Sequence, residues 1–151
     1  MSVTIRRGAA ADADAAANLW LRARRSALGA IPAPVHSDEE VRSWFGAHVA
    51  PTLEMWLAES AQREVVGLLV LDGDWIDQLY VDPAWTGRGI GGRLVEIAKH
   101  ERPRSLRLWT FVSNERAQRF YERHGFVEVE RTDGSGNEEH APDIKYSWSA
   151  R

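Results

Sequence analysis

Cysteine is absent from this chain of 151 residues. That excludes a disulfide framework, a thiolate metal site and a cysteine nucleophile, so any covalent chemistry must use another side chain. No stretch approaches the ~18–20 apolar residues of a membrane-spanning helix. Met1 to Arg7 runs into an alanine-rich acidic segment rather than the apolar core of a signal peptide, so a soluble, cytoplasmic protein with no membrane partner is expected. A dominant charge is also missing: 19 basic and 22 acidic residues give a formal net charge of −3. Without a basic stripe, nucleic acid is not an expected partner. No residue cluster has metal-ligand spacing, so no metal is expected.

With 44% apolar content the length suits one core, and a single domain over 1–151 is expected. Seven tryptophans are many for this length, and most should fill that core. Val3 to Arg6 alternates as a short strand. From Asp12, read as an N-cap, Ala16, Leu19, Trp20, Ala23 and Ala27 recur at helical spacing up to Gly29. Ser37 and Glu40 have capping-box spacing before a second helix that should run to about Val49. Leu53 to Glu59 and Val65 to Leu71 read as an antiparallel hairpin, and Trp75 to Val81 as the next strand. A glycine run then opens a helix lasting to Pro103. Ser105 to Thr110, Phe126 to Arg131 and Asp143 to Trp148 read as strands, with a helix from Asn114 to His124 between the first two. The order implies a mixed sheet covered by helices, an α/β (α+β) class of fold.

Gly87-Arg88-Gly89-Ile90-Gly91-Gly92 lies between a strand and a helix, where glycines let the backbone approach an anion held by unpaired N–H groups and the helix dipole. A tight turn without ligand is the plain alternative. Gly87, Gly89 and Gly92 satisfy the dinucleotide pattern, but the next strand, Leu106-Arg107-Leu108-Trp109-Thr110, does not bring the ribose-binding acid. The ATP-type loop fares worse, because Arg93-Leu94 replaces its Lys and Ser or Thr, and neither nucleotide fold is favoured.

Leu79-Tyr80-Val81-Asp82-Pro83 followed by Thr86-Gly87-Arg88-Gly89-Ile90-Gly91 resembles the pyrophosphate-binding motif of the GNAT N-acetyltransferases and its preceding strand. Asn114-Glu115-Arg116-Ala117-Gln118-Arg119-Phe120-Tyr121, continuing to Gly125-Phe126, is similar to that family's second motif. The resemblance is strong over Trp75 to Val129 and fades toward both ends. It implies a mixed, mostly antiparallel sheet with helices on both faces and one splayed parallel strand pair. It also implies acetyl-CoA as donor cosubstrate, with main-chain groups near Leu79, Tyr80 and Val81 on the pantetheine arm. Thr86, Gly87, Arg88, Gly89, Ile90, Gly91, Gly92 and Arg93 would surround the phosphates, and Asn114 would cap its helix or bind the arm. Thr86 departs from the Gln or Arg usual at the loop's start, a loss for which Arg88 and Arg93 could compensate.

By the same resemblance Val81 N–H polarises the thioester carbonyl, and Tyr121 is the general acid that protonates the departing CoA sulfur. Amines with a pKa of ~10 arrive protonated, so a base is also needed. Asp77 is the first choice, since alternation places it on the face of Leu79, and Glu59 is the second. His36 and Trp44 are acceptor-side candidates together with Asp77. The expected reaction is direct transfer of acetyl to a small-molecule or peptide amine by a monomer or homodimer; the other reading is a non-catalytic acetyl-CoA sensor.

Overall fold

The structure is a computed structural model that describes residues 2–150. Seven strands form one sheet: β1 (Val3–Arg7), β2 (Glu54–Ser60), β3 (Val65–Asp72), β4 (Trp75–Val81), β5 (Ser105–Phe111), β6 (Val127–Thr132) and β7 (Asp143–Ser149). Their spatial order is β1-β2-β3-β4-β5-β7-β6, and every neighbouring pair is antiparallel except β4 with β5. β3 explains the layering. Its run Val66-Gly67-Leu68-Leu69-Val70-Leu71 is buried throughout, as a strand covered on both faces must be.

Four main helices provide that cover: α1 (Ala13–Ser26), α2 (Asp38–Trp44), α3 (Ile90–Glu101) and α4 (Glu115–Arg123). α1, α2 and the turn that follows α2 bury Leu19, Trp20, Val41 and Phe45 against Leu57, Leu68 and Val70 on one face. α3 and α4 bury Leu94, Val95 and Tyr121 against Leu69, Leu71, Leu106 and Tyr146 on the other. Gly67 permits the close approach of α3, because a Cβ there would stand 2.9 Å from both Ala58 Cβ and Ile90 Cγ2.

One helix start is as read and one helix end is not. Asp12 is the N-cap residue of α1, but its side chain makes no capping bond; it binds the Arg6 guanidinium through two 2.9 Å contacts and accepts from Ala9 N–H at 2.8 Å, ending a short 3₁₀ turn. α2 has the expected capping box, with Glu40 N–H donating to Ser37 Oγ at 3.1 Å and Ser37 N–H to Glu40 Oε1 at 2.9 Å. Beyond Trp44, however, the helix widens into a π turn over Phe45–Val49 and ends with Ala50–Thr52, past the expected stop. Pro51 has no N–H to reach back to Ala47, and Ala50 N–H bonds instead to Phe45 O, five residues earlier.

Candidate active site

The parallel pair β4/β5 is joined only at its start, where Trp75 lies opposite Arg107 and Arg107 N–H donates to Asp74 O at 3.0 Å. Beyond that point no ladder contact links the two strands among the described residues, and a gap opens toward their C-terminal ends. On its other side β4 is paired with β3, and Asp82 N–H donates to Val66 O at 2.8 Å. Antiparallel ladders alternate, so Tyr80 bonds to β3 while the main-chain groups of Leu79 and Val81 turn toward the gap. Of the three residues expected on the pantetheine arm, Tyr80 therefore commits its main chain elsewhere. Its ring crosses to the α1 face and meets Trp20 edge-on at 6.2 Å.

The gap ends at the glycine loop. Gly87 and Gly89 have φ of +78° and +79°, the left-handed region that favours glycine. Gly89 leads into α3, whose first internal bond is Arg93 N–H to Gly89 O at 3.1 Å, so the Ile90, Gly91 and Gly92 N–H groups precede the helical ladder. Gly91 keeps α3 close to α4, since a Cβ would meet the Phe120 ring at 3.2 Å. The expected arginine compensation takes a different form. Arg93 donates to Val3 O at 2.9 Å, which commits its guanidinium to β1, and Arg88 lies over the Trp85 ring at 4.5 Å. Thr86 stays exposed, its hydroxyl donating to Pro83 O of the preceding turn at 3.2 Å. What the loop presents at the end of the gap is thus mainly backbone N–H.

Across the gap, Asn114 Oδ1 accepts from Ala117 N–H at 3.2 Å and caps α4. Tyr121 is 8% exposed, packed on Phe120, Phe126 and Tyr146 with centroids 5.2, 5.6 and 6.4 Å away. Its hydroxyl has no hydrogen-bond partner among the described residues. Burial, and secondarily Tyr80, pushes its pKa above the ordinary phenol value and keeps the proton on oxygen.

Residues 51–128 match the acetyltransferase (GNAT) domain family. The chain belongs to the GNAT family of acetyl-CoA-dependent N-acetyltransferases. It is 30% identical over 137 residues to the peptidyl-lysine N-acetyltransferase YjaB of Escherichia coli, covering 88% of each chain. Among solved structures it is similar to apo YjaB from Escherichia coli, with TM-score 0.76, 24% identity and 100% of both chains covered. The PaiA N-acetyltransferase of Thermoplasma acidophilum, solved in complex with coenzyme A, gives TM-score 0.71 at 21% identity over 99% of this chain and 100% of that one.

The acceptor side of this acetyltransferase corrects two expectations. Glu59 lies on β2, and its carboxylate is bound to Arg6 at 2.9 and 3.2 Å, with β3 and β4 between it and the gap. Consecutive antiparallel strands carried it away from the site. Asp77 remains at β4, but the register slips there: Leu71 pairs with Ile76 and Val70 with Gln78, leaving Asp77 as a bulge residue. The slip breaks the alternation with Leu79. Leu79 packs into the α3/α4 cluster, whereas Asp77 shares a cavity with Asp72, Trp75 and Trp109. Desolvation pushes the Asp77 carboxyl up; Gln78, donating at 3.2 Å, opposes this, Asp72 adds to it, and His48 on the π turn lowers it. Trp44 stacks on His48 at 6.2 Å and closes the same side.

Two loops meet over this face. Arg24, 5% exposed and lying over the Trp20 ring at 4.7 Å, donates to Pro32 O at 3.1 Å and pairs with Glu139 at 3.5 Å. His36 pairs with Glu138 at 3.1 Å, and Ser113 Oγ donates to Ala30 O at 2.7 Å. Sequence reading found His36 but missed Arg24 and His48, whose partners lie far away in the chain or across a helix turn. The His36–Glu138 contact raises the His36 pKa, first through the hydrogen bond. Its contribution is therefore complete below the ordinary histidine value of ~6.5 and is lost as pH rises through the raised one. Amide hydrogen exchange over residues 134–140, corrected for intrinsic rates, should show more protection at pH ~6 than at ~8, and His36→Phe should erase the difference. Equal protection at both values would dismiss the clasp.

Proposed function

We propose that this one-domain, cytoplasmic enzyme, acting as a monomer or homodimer, moves acetyl from acetyl-CoA to a primary amine of a small molecule or peptide by direct attack in a ternary complex. The observation that carries the reading is the parting of β4 from β5, with Leu79 and Val81 main-chain groups turned into the gap and the α3 N-terminus at its end. Acetyl-CoA would lay its pantetheine arm along Leu79 and Val81 and its diphosphate on the Gly87–Gly92 backbone, with Asn114 beside the arm. The hollow of about 770 Å³ bordered by Gly89, Gly92 and His124 offers room for the nucleotide end. That the YjaB relative is a peptidyl-lysine N-acetyltransferase supports a lysine-like acceptor.

In this mechanism Asp77 takes the ammonium proton through water, and the neutral nitrogen attacks the thioester carbon. The new C–N bond places negative charge on the carbonyl oxygen, where Val81 N–H holds it. As the adduct collapses, its nitrogen gives up its second proton to water, the C–S bond breaks, and Tyr121 gives its hydroxyl proton to the leaving sulfur. Solvent then takes the proton from Asp77 and returns one to Tyr121. His36 and Trp44 belong to the acceptor side of this arrangement.

The test is thiol release from acetyl-CoA across an amine panel, measured against pH for the wild type and Asp77→Asn. Amine-dependent release is expected, with the rate falling as pH drops through the raised Asp77 value. Asp77→Asn should lower the rate and remove that acid limb. Tight acetyl-CoA binding with no release from any amine would leave a CoA sensor instead.

A further inference from the structure

On the sheet face that carries α1 and α2, where β4 and β5 begin to part, lies a cavity of about 310 Å³ lined by Asp72, Trp75, Ile76, Asp77 and Trp109. Trp75 and Trp109 stand nearly parallel, with centroids 6.4 Å apart and ring planes at 7°. Trp109 is 42% exposed, so this indole does not serve as core filling. Paired rings at a cavity wall offer flat, electron-rich faces to an alkyl chain or a cation.

The charges nearby are divided unevenly. Arg107 lies over Trp75 at 4.6 Å but is held by Asp74 at 2.9 and 3.1 Å. Lys145 stands 5.9 Å from each indole and pairs with Glu130 at 3.5 Å. Neither cation lines the cavity. Asp72 and Asp77 do line it, and among the described residues neither has an ion-pair partner. A carboxylate without an ion-pair partner beside paired indoles suits an ammonium on an alkyl arm.

Distance along the strand links the cavity to the reaction. Leu79 and Val81 lie two and four residues beyond Asp77, which at ~3.3 Å per residue is roughly 7 and 13 Å. We propose that the acceptor is a small α,ω-diamine, its distal ammonium held by Asp72, Trp75 and Trp109 while its other amine reaches the thioester past Asp77, the base. This rests on the acceptor-side reading given above.

The experiment compares cadaverine with pentylamine, which has the same carbon chain and lacks the second amine, by calorimetric titration into full-length protein saturated with CoA. Cadaverine should bind at least about tenfold more tightly. That preference should fall toward unity in Asp72→Asn and, separately, in Trp109→Ala, two exposed-edge changes that leave the core intact. Equal affinities in the wild type, or a preference untouched by both variants, would overturn the diamine site. Thiol release from acetyl-CoA, followed with both amines, keeps the two readings apart. Release without a cadaverine preference rejects the diamine and retains the transferase mechanism; preferential binding without release does the reverse.

Discussion

Tyr121→Phe should lower the rate of CoA release by ~10²–10⁴ while acetyl-CoA affinity stays nearly unchanged. The substitution removes one oxygen and keeps the ring that packs on Phe120, Phe126 and Tyr146. Since the hydroxyl has no partner among the described residues, its loss strands no buried donor or acceptor, and the fold should lose less than about 1 kcal/mol. Any large kinetic effect therefore reports on chemistry. A thiol pKa of ~8.5 makes CoA a fair leaving group even as the thiolate, which favours the lower part of the range. The elevated phenol pKa means that raising the pH to ordinary assay values does not strip the wild-type proton, so the wild-type and variant profiles should run parallel there. Single-turnover thiol release with a saturating amine, beside calorimetry with acetyl-CoA, separates kcat from binding. A variant as fast as the wild type would remove Tyr121 from the mechanism.

What could be read from the chain follows the range of the interactions involved. The glycine loop was legible because positive φ at Gly87 and Gly89 is a local demand that few other residues meet. The Ser37/Glu40 capping box was legible for the same reason, as were the strands, whose apolar runs are contiguous. Strand order is a different kind of information. Glu59 looked like a partner for the site only while the place of β2 in the sheet was unknown, and its pairing with Arg6 joins residues 53 positions apart. The bulge at Asp77 depends on how β4 registers against β3, and a one-residue slip redirects the carboxylate without changing any local pattern. Arg93 carried the right charge beside the right loop, yet Val3 O, 90 positions away, takes its guanidinium. His48 comes to act on Asp77 from a π turn that lies just before Pro51, a placement no local pattern announces.

Gly89→Glu should weaken acetyl-CoA binding by about two orders of magnitude and leave the apo fold standing. Two effects combine. At φ of +79° a side chain costs ~1–2 kcal/mol of backbone strain, although a Cβ there would meet nothing within 4 Å. The added carboxylate also occupies the α3 N-terminus, where the CoA diphosphate would need the same N–H groups and the same positive end of the helix dipole. For the apo protein these effects partly cancel, because an acid near a helix N-terminus is favourable while the strain is not. For the complex they add, since the diphosphate now meets a like charge. The melting temperature of the apo variant should therefore lie near that of the wild type, while the rise on adding acetyl-CoA should disappear. Gly89→Ala carries the strain without the charge, so its acetyl-CoA affinity should fall between the two. If Gly89→Glu bound acetyl-CoA as tightly as the wild type, the phosphates would have to lie away from this loop, and the pantetheine path along Leu79 and Val81 would lose its anchor.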